Sequence, residues 1–254
     1  MIVLVAGASG RLGGLVVALL LGRGHTVRAL VRGEDQARPL AELGAQPVVA
    51  DLRGDVEWTA DGCDAAVFAA GARHLPDLGA VDGGGAAKFA EAADRFELSR
   101  FVLCSAVGAG RPERREGPLR EFLEAKHHAE RRLARLDMPW TILRFGRLTD
   151  EPGTGRIATA LPPGTPVTLR RDDGALAVVE TLSREHLARQ VVHVIDGDRH
   201  VGDALDAVEP LPLPPVHASG LAAGQTEILD TDYEGDGPLP PELIGNEDPA
   251  PGIP

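Results

Sequence analysis

Residues Ile2 to Gly13 read IVLVAGASGRLG, and this stretch decides the architecture. The apolar run Ile2 to Ala6 is too short for a buried helix and lacks the alternation of a half-exposed strand. It therefore predicts a strand covered on both faces. Three glycines follow at the spacing G-x-x-G-x-x-G, and apolar residues then recur at Leu12, Leu15, Val16, Leu19 and Leu20 with the period of a helix. Outward from this unit the pattern repeats. HTVRALV (His25 to Val31), QPVVA (Gln46 to Ala50), DAAVFAA (Asp64 to Ala70), RFVLCSA (Arg100 to Ala106) and WTILR (Trp140 to Arg144) predict further strands. Helical patterns lie around Gln36 to Leu43, around Ala86 to Phe96, and through PLREFLEAKHHAERRLARL, Pro118 to Leu136. Short apolar runs alternating with amphipathic helices imply an α/β fold with a doubly wound parallel sheet. After Arg144 regularity fades. The sequence predicts a loop LTDEPGTG, short strands at Pro166 to Leu169 and Ala175 to Val179, and a helix from Arg184 to Ile195. Together these form a small substrate-side elaboration, about 145–209, of one body spanning 1–209.

The net charge of -12 is concentrated at one end. From Asp203 to Pro254 there are eleven acids and no Lys or Arg, which leaves 27 of the 38 acids against all 26 bases in the first 202 residues. The same segment holds ten of the twenty prolines, in runs such as EPLPLPP. An irregular acidic extension over 210–254 is expected, a solvated tail or else an arm that binds a protein partner or covers the domain. The one basic run, Arg111 to Arg115, is short and gives no reason to expect nucleic acid. No apolar run reaches the ~18 residues of a membrane span. MIVLVAGASG reads as a first strand and not as a secretion leader, so a cytoplasmic protein is expected. Cys63 and Cys104 have neither metal-site nor redox-pair spacing, and no metal site is expected.

The turn GASGRLG carries chemistry. Gly7 permits a sharp turn, Gly10 lets backbone approach a diphosphate, and Gly13 lets the helix close on the strand. The helix N-terminus adds N–H groups and the positive end of a dipole. Set between strand and helix, this pattern predicts a Rossmann-type dinucleotide site; a turn serving only close packing is the alternative. The ribose ligand in such sites is usually an acid at the end of the second strand. Here Arg32 stands there, and a guanidinium suits a 2′-phosphate, so NADP(H) is favoured over NAD(H). Glu34 and Asp35 follow closely, and an ordinary exposed arginine is the competing reading.

GASGRLG, Arg32, ADL (Ala50 to Leu52), AAG (Ala69 to Gly71), the serine of LCSA and the segment PWTILRFGRLTDEPGTGRI together resemble the atypical short-chain dehydrogenases/reductases, in the NmrA-like, NAD(P)H-binding branch. The resemblance covers roughly residues 1–208. It implies that Gly7, Ser9, Gly10, Arg11 and Leu12 hold the diphosphate and Arg32 the 2′-phosphate. Asp51 and Leu52 would flank the adenine, and Ala69, Ala70 and Gly71 the adenosine side. Ser105, Lys126, Phe145 and Gly146 would lie beside the nicotinamide, with Phe145 where that branch usually has proline.

Carbonyl-reducing members use Y-x-x-x-K, the tyrosine giving a proton as hydride arrives. Aligned on Lys126, this chain has Phe122 at the tyrosine position, and its one tyrosine is Tyr233 in the acidic tail. Lys126 falls on the apolar stripe of Leu119, Phe122, Leu123, Ala129, Leu133 and Leu136. Its ammonium therefore needs polar partners such as ribose hydroxyls, unless the side chain snorkels to water. His74, Asp150 and Glu151 are the substitute acids within reach of the sheet's carboxyl edge; His127 and His128 point elsewhere around the helix. The expected activity is an NADPH-dependent oxidoreductase for a flavin, quinone or similar small conjugated acceptor, with Ser105 and Lys126 as catalytic residues. A non-catalytic NADP(H)-responsive regulator is the alternative. A sugar-nucleotide epimerase or dehydratase fits the fold but lacks its tyrosine.

Overall fold

The structure, a computed structural model, describes residues 1–161 and 167–210. The acidic extension from 211 onward lies outside them, as does Pro166 of the predicted strand at Pro166 to Leu169. Strands β1 (Ile2–Ala6), β2 (Thr26–Val31), β3 (Gln46–Val49), β4 (Ala65–Phe68), β5 (Arg100–Ala106) and β6 (Trp140–Phe145) form one sheet. All are parallel, in the order β3-β2-β1-β4-β5-β6. The chain winds one way from β1 to β3 and then the other way from β4, so the crevice at the carboxyl ends of β1 and β4 is the place where such sheets take ligands.

Side chains alternate across the sheet as a strand's two-residue period requires. Val3 and Val5 enter one core cluster, Leu4 and Ala6 the other. The first cluster is closed by α1 (Arg11–Gly22) through Leu12, Val16, Val17 and Leu20, and by α2 (Glu34–Glu42) through Ala37 and Leu40. The second is closed by α3 (Ala86–Arg95) and α4 (Gly117–Leu133), with Phe89 between Phe68 and Phe101 at ring-centroid separations of 5.8 and 5.9 Å. Fully burying each such side chain is worth about 1.5–3 kcal/mol.

Beyond β6 the chain departs from the sequence reading. β7 (Arg147–Thr149) pairs parallel with β9 (Thr168–Arg170), while β8 (Arg156–Ala158) lies antiparallel to β10 (Gln190–Asp196) and β11 (Arg199–His200). Ala175 to Val179, predicted as a strand, lies inside α5 (Arg171–Thr181). That helix is buried at Asp173, Gly174, Ala175, Ala177, Val178, Val179 and Thr181, so no polar stripe marks its period. Arg184 to Ile195, predicted as a helix, is a short 3₁₀ turn at Glu185–Leu187 followed by β10, which extends the parallel sheet beside β6. The charged Arg184, Glu185 and His186 imitate a helical polar face, whereas Val192 and Val194 alternate as in a strand. A short α6 (Val201–Asp206) follows β11.

Candidate functional site

The two glycine-bearing turns meet at the crevice. Gly7 has φ +81°, and a Cβ there would come 2.5 Å from the Ala70 backbone nitrogen, so the first turn is pressed against the AAG segment that follows β4. A Cβ on Gly13 would fall 2.1 Å from the Gly7 carbonyl oxygen. The Gly10 N–H donates to that same oxygen at 2.8 Å. Ser9, Gly10 and Gly71 are exposed at the surface of this cradle, and Leu12 is buried beneath it. No side chain caps α1 and no acid lies in its first turn, so nothing in the helix competes with an incoming anion for its N-terminal field. Arg11, the first residue of α1, pairs with Asp150, which also accepts from Arg171 Nε at 2.9 Å.

Arg32 is exposed just past β2, and its backbone N–H donates to Gln36 Oε1 at 2.9 Å. At the end of β3, Asp51 is gripped by Arg53, with Nη2 2.7 Å from Oδ2 and both the Arg53 Nε and backbone N–H on Oδ1. These bonds from Arg53, with smaller help from the nearby Arg32 charge, hold the Asp51 carboxyl down at about 2. Sequence reasoning passed over Arg53; the signal was an Asp-x-Arg pair inside a turn, where side chains two apart can meet. Leu52 beside it is buried.

Over β5 and β6 lies a buried polar centre. Lys126 on α4 is 6% exposed, and its ammonium sits 2.9 Å from Asp82 Oδ1, 3.3 Å from the Cys104 carbonyl and 5.6 Å from the centre of the Phe122 ring. The ammonium is therefore held inside and does not snorkel. Asp82 belongs to a π-helical segment, Gly79–Gly85, that leads into α3, and it also accepts from the Ala72 N–H at 2.7 Å. One turn after Lys126, Glu130 binds Arg144 of β6 at two points, Nε to Oε1 at 3.1 Å and Nη2 to Oε2 at 2.7 Å. The Ser105 hydroxyl donates to Glu130 Oε1 at 2.5 Å. Phe145 turns its ring into the core, its carbonyl accepts from Val107, and the Gly146 N–H is spent on Val194. A Cβ at Gly146 would lie 2.7 Å from the Val167 carbonyl.

The family model described as NAD(P)H-binding matches residues 7–197, the span that builds the cradle and the polar centre. The chain belongs to the NAD(P)H-binding family. The sugar epimerase YhfK of Bacillus subtilis, itself uncharacterized, is 35% identical to this chain over 212 residues, covering 80% of it and 98% of YhfK. The oxidoreductase ylbE of Lactococcus lactis superposes with a TM-score of 0.74 at 25% identity, covering 82% of this chain and 96% of that one. ChuY, an anaerobillin reductase of Escherichia coli O157:H7, superposes with a TM-score of 0.67 at 25% identity, covering 78% and 98%. This NAD(P)H-binding chain is thus an atypical short-chain dehydrogenase/reductase with an oxidoreductase-like fold and a nicotinamide cofactor.

The candidate substitute acids fare differently. Asp150 is engaged by Arg11 and Arg171, and Glu151 by Arg170 at 3.2 Å, so neither stands as a free proton donor. His74 is exposed before a 3₁₀ turn, Leu75–Asp77. His127 Nδ1 is 2.8 Å from the Ala109 carbonyl, a structural bond. Asp82, Glu130 and Arg144 were missed: Asp82 lay in a glycine run that reads as loop, and Glu130 and Arg144 read as ordinary charges. No cluster of His, Cys, Asp and Glu able to hold a metal occurs among the described residues, and no helix there is long and apolar enough to cross a membrane.

Burial pushes the Cys104 thiol up to about 12 despite the nearby Lys126 charge, and burial also raises Cys63. The thiolate is the nucleophile, so both should resist iodoacetamide at pH 8 in the folded chain and react once urea unfolds it. Mass spectrometry of the adducts checks this; fast labelling of Cys104 without unfolding would contradict its burial.

Proposed function

We propose that this chain is an NADPH-dependent oxidoreductase acting on a flavin, quinone or similar conjugated acceptor, and not a tyrosine-dependent carbonyl reductase. The observation that carries the reading is Phe122, whose ring stands over the Lys126 ammonium where a proton-donating phenol would be required. A phenylalanine gives no proton, and loss of a general acid costs about 10² to 10⁴ in rate. A conjugated acceptor spreads the charge left by hydride and takes its proton from solvent, so such chemistry survives the substitution.

The residues present fit a dinucleotide. The backbone cradle leaves no room for side chains at Gly7 and Gly13 and little at Gly10, and the uncapped start of α1 favours a diphosphate. Arg32 would take the 2′-phosphate, and Arg53, braced by Asp51, adds positive charge nearby. Asp51, Leu52, Ala69, Ala70 and Gly71 would line the adenosine, and Ser105, Lys126, Phe145 and Gly146 the nicotinamide end. A bound NADPH supplies hydride; these residues fix its placement and keep water from the buried side. ChuY's name as a reductase supports this reading. The epimerase name of YhfK supports a different chemistry, which the missing tyrosine opposes here.

The test follows NADPH absorbance with flavins, quinones and aldehydes. Turnover is expected with the conjugated acceptors and not with aldehydes. Tight NADPH binding with no turnover at all would favour a non-catalytic NADP(H)-sensing role, and rapid aldehyde reduction would overturn the argument from Phe122. For cofactor choice, NADPH should bind more tightly than NADH, and Arg32→Ala should weaken NADPH by about 10-fold, the scale of a charge-assisted bond, with NADH unchanged. Equal affinity of the wild type for the two cofactors would sink the assignment of Arg32.

A further inference from the structure

The Ser105 hydroxyl has one proton, and its direction is fixed from behind. Glu130 Oε1 lies 2.5 Å from Ser105 Oγ, and Glu130 is itself clamped by the two-point contact with Arg144. Glu130 and Arg144 are both completely buried, whereas Ser105 keeps 5% exposure. Ser105 and Arg144 sit opposite each other in the β5–β6 register, so strand pairing holds the three groups together. A carboxylate only accepts, and a hydroxyl offers one donor and two lone pairs. Turning the proton outward would cost Glu130 Oε1 its short bond from the hydroxyl and set that oxygen against the serine's lone pairs, in a place where water cannot replace the lost donor.

We infer that Ser105 meets its ligand as a hydrogen-bond acceptor, taking an amide or imide N–H, with Glu130 as the positioning residue that imposes this polarity. The inference rests on the proposed dinucleotide site. A serine so committed does not polarise a carbonyl, which removes a second requirement of ketone reduction beyond the missing phenol. The N–H has two possible sources: the carboxamide of the nicotinamide, or the imide or lactam N–H of an acceptor such as an isoalloxazine. A quinone has no such donor.

The test compares probes that differ only in that N–H. Dissociation constants of wild type and Ser105→Ala are measured for NADP⁺ and its 3-acetylpyridine analogue, which replaces the amide nitrogen by a methyl, and for lumiflavin and 3-methyl-lumiflavin. Ser105→Ala keeps the Glu130–Arg144 clamp, so folding is retained. A loss of about 3- to 10-fold for NADP⁺ with no loss for its analogue is expected if the carboxamide is the donor, the size of one neutral hydrogen bond. The same selective loss confined to lumiflavin assigns the donor to the acceptor. Glu130→Gln should erase the same discrimination, because its amide can donate to Ser105 and release the hydroxyl proton outward; a merely structural role would weaken all four probes alike. If Glu130→Gln fails to fold by thermal unfolding, Ser105→Ala decides alone. Equal losses for N–H and N–H-free probes, or a larger loss for the acetyl analogue, would overturn the inference while leaving the dinucleotide site standing. A wild type that binds neither dinucleotide overturns the dinucleotide reading, and this inference with it.

Discussion

Gly13→Ala should weaken NADPH binding by roughly 100-fold, while Gly22→Ala at the far end of the same helix leaves it unchanged. Both replacements add one methyl to α1, and both favour helix, by up to about 1 kcal/mol in a helix interior. They differ in what the methyl meets. At Gly22 nothing lies within 4 Å. At Gly13 the new carbon would fall 2.1 Å from the Gly7 carbonyl oxygen and 3.2 Å from the Ala8 Cα, all backbone, so helix and turn must separate. The turn cannot yield backwards, because Gly7 is already in contact with the segment at Ala69 and Ala70. Pulling the start of α1 away from the diphosphate loses charge-assisted bonds worth about 1.5–3 kcal/mol each, so losing two costs on the order of 10²-fold in affinity, and overpacking adds about 1–3 kcal/mol of instability. Calorimetric titration with NADPH, beside thermal unfolding of both variants, separates the two effects. A Gly13→Ala chain that binds like wild type would show that the cradle does not hold the diphosphate.

That cradle was legible in the sequence because it is local. Seven residues contain the turn, and the apolar runs on either side fix strand and helix without reference to anything distant. Lys126 was legible for the same reason, since its place on the stripe of α4 follows from helical spacing alone. Its partner was not: Asp82 lies far off in the chain, in GAVDGGG, where glycines give no helical pattern and only packing against α4 winds the backbone into a π-helical segment. Likewise Glu130 and Arg144 look like two more surface charges until the parallel register sets Arg144 beside Ser105 beneath α4. The misread region has a related cause. α5 packs against α1, α6 and the sheet, leaving a narrow edge at Asp172, Leu176 and Glu180 less than fully covered, and burial of polar Asp173 and Thr181 beside the apolar residues erases the periodicity that marks helices elsewhere. Sequence pattern reports how one element meets water. It falls silent where an element meets protein over most of its surface.

Asp82→Asn should destabilise the fold by about 3–5 kcal/mol, the usual result of stripping one partner from a buried ion pair. The Asp82 side chain is fully buried and the Lys126 side chain nearly so, at 2.9 Å. Without the carboxylate, the ammonium keeps a neutral amide oxygen in its place, the Cys104 carbonyl at 3.3 Å and the Phe122 ring face at 5.6 Å. None of these neutralises a charge. Lys126→Met should cost less, since it removes the group that is hardest to desolvate, yet it strands Asp82 on the single Ala72 N–H. The double variant should then lose less than the two single losses combined, with a coupling of about 1–3 kcal/mol from urea unfolding. Additive losses would mean that the ammonium reaches water after all and that the pair is incidental. The same variants separate structure from binding. If Lys126 also serves the cofactor ribose, Lys126→Met weakens NADPH even in the background of Asp82→Asn, where stability is already lost and further repacking is small. If Asp82 alone accounts for the lysine, NADPH affinity is the same in both backgrounds, and the buried pair is a structural replacement for the tyrosine–lysine couple that Phe122 has dissolved.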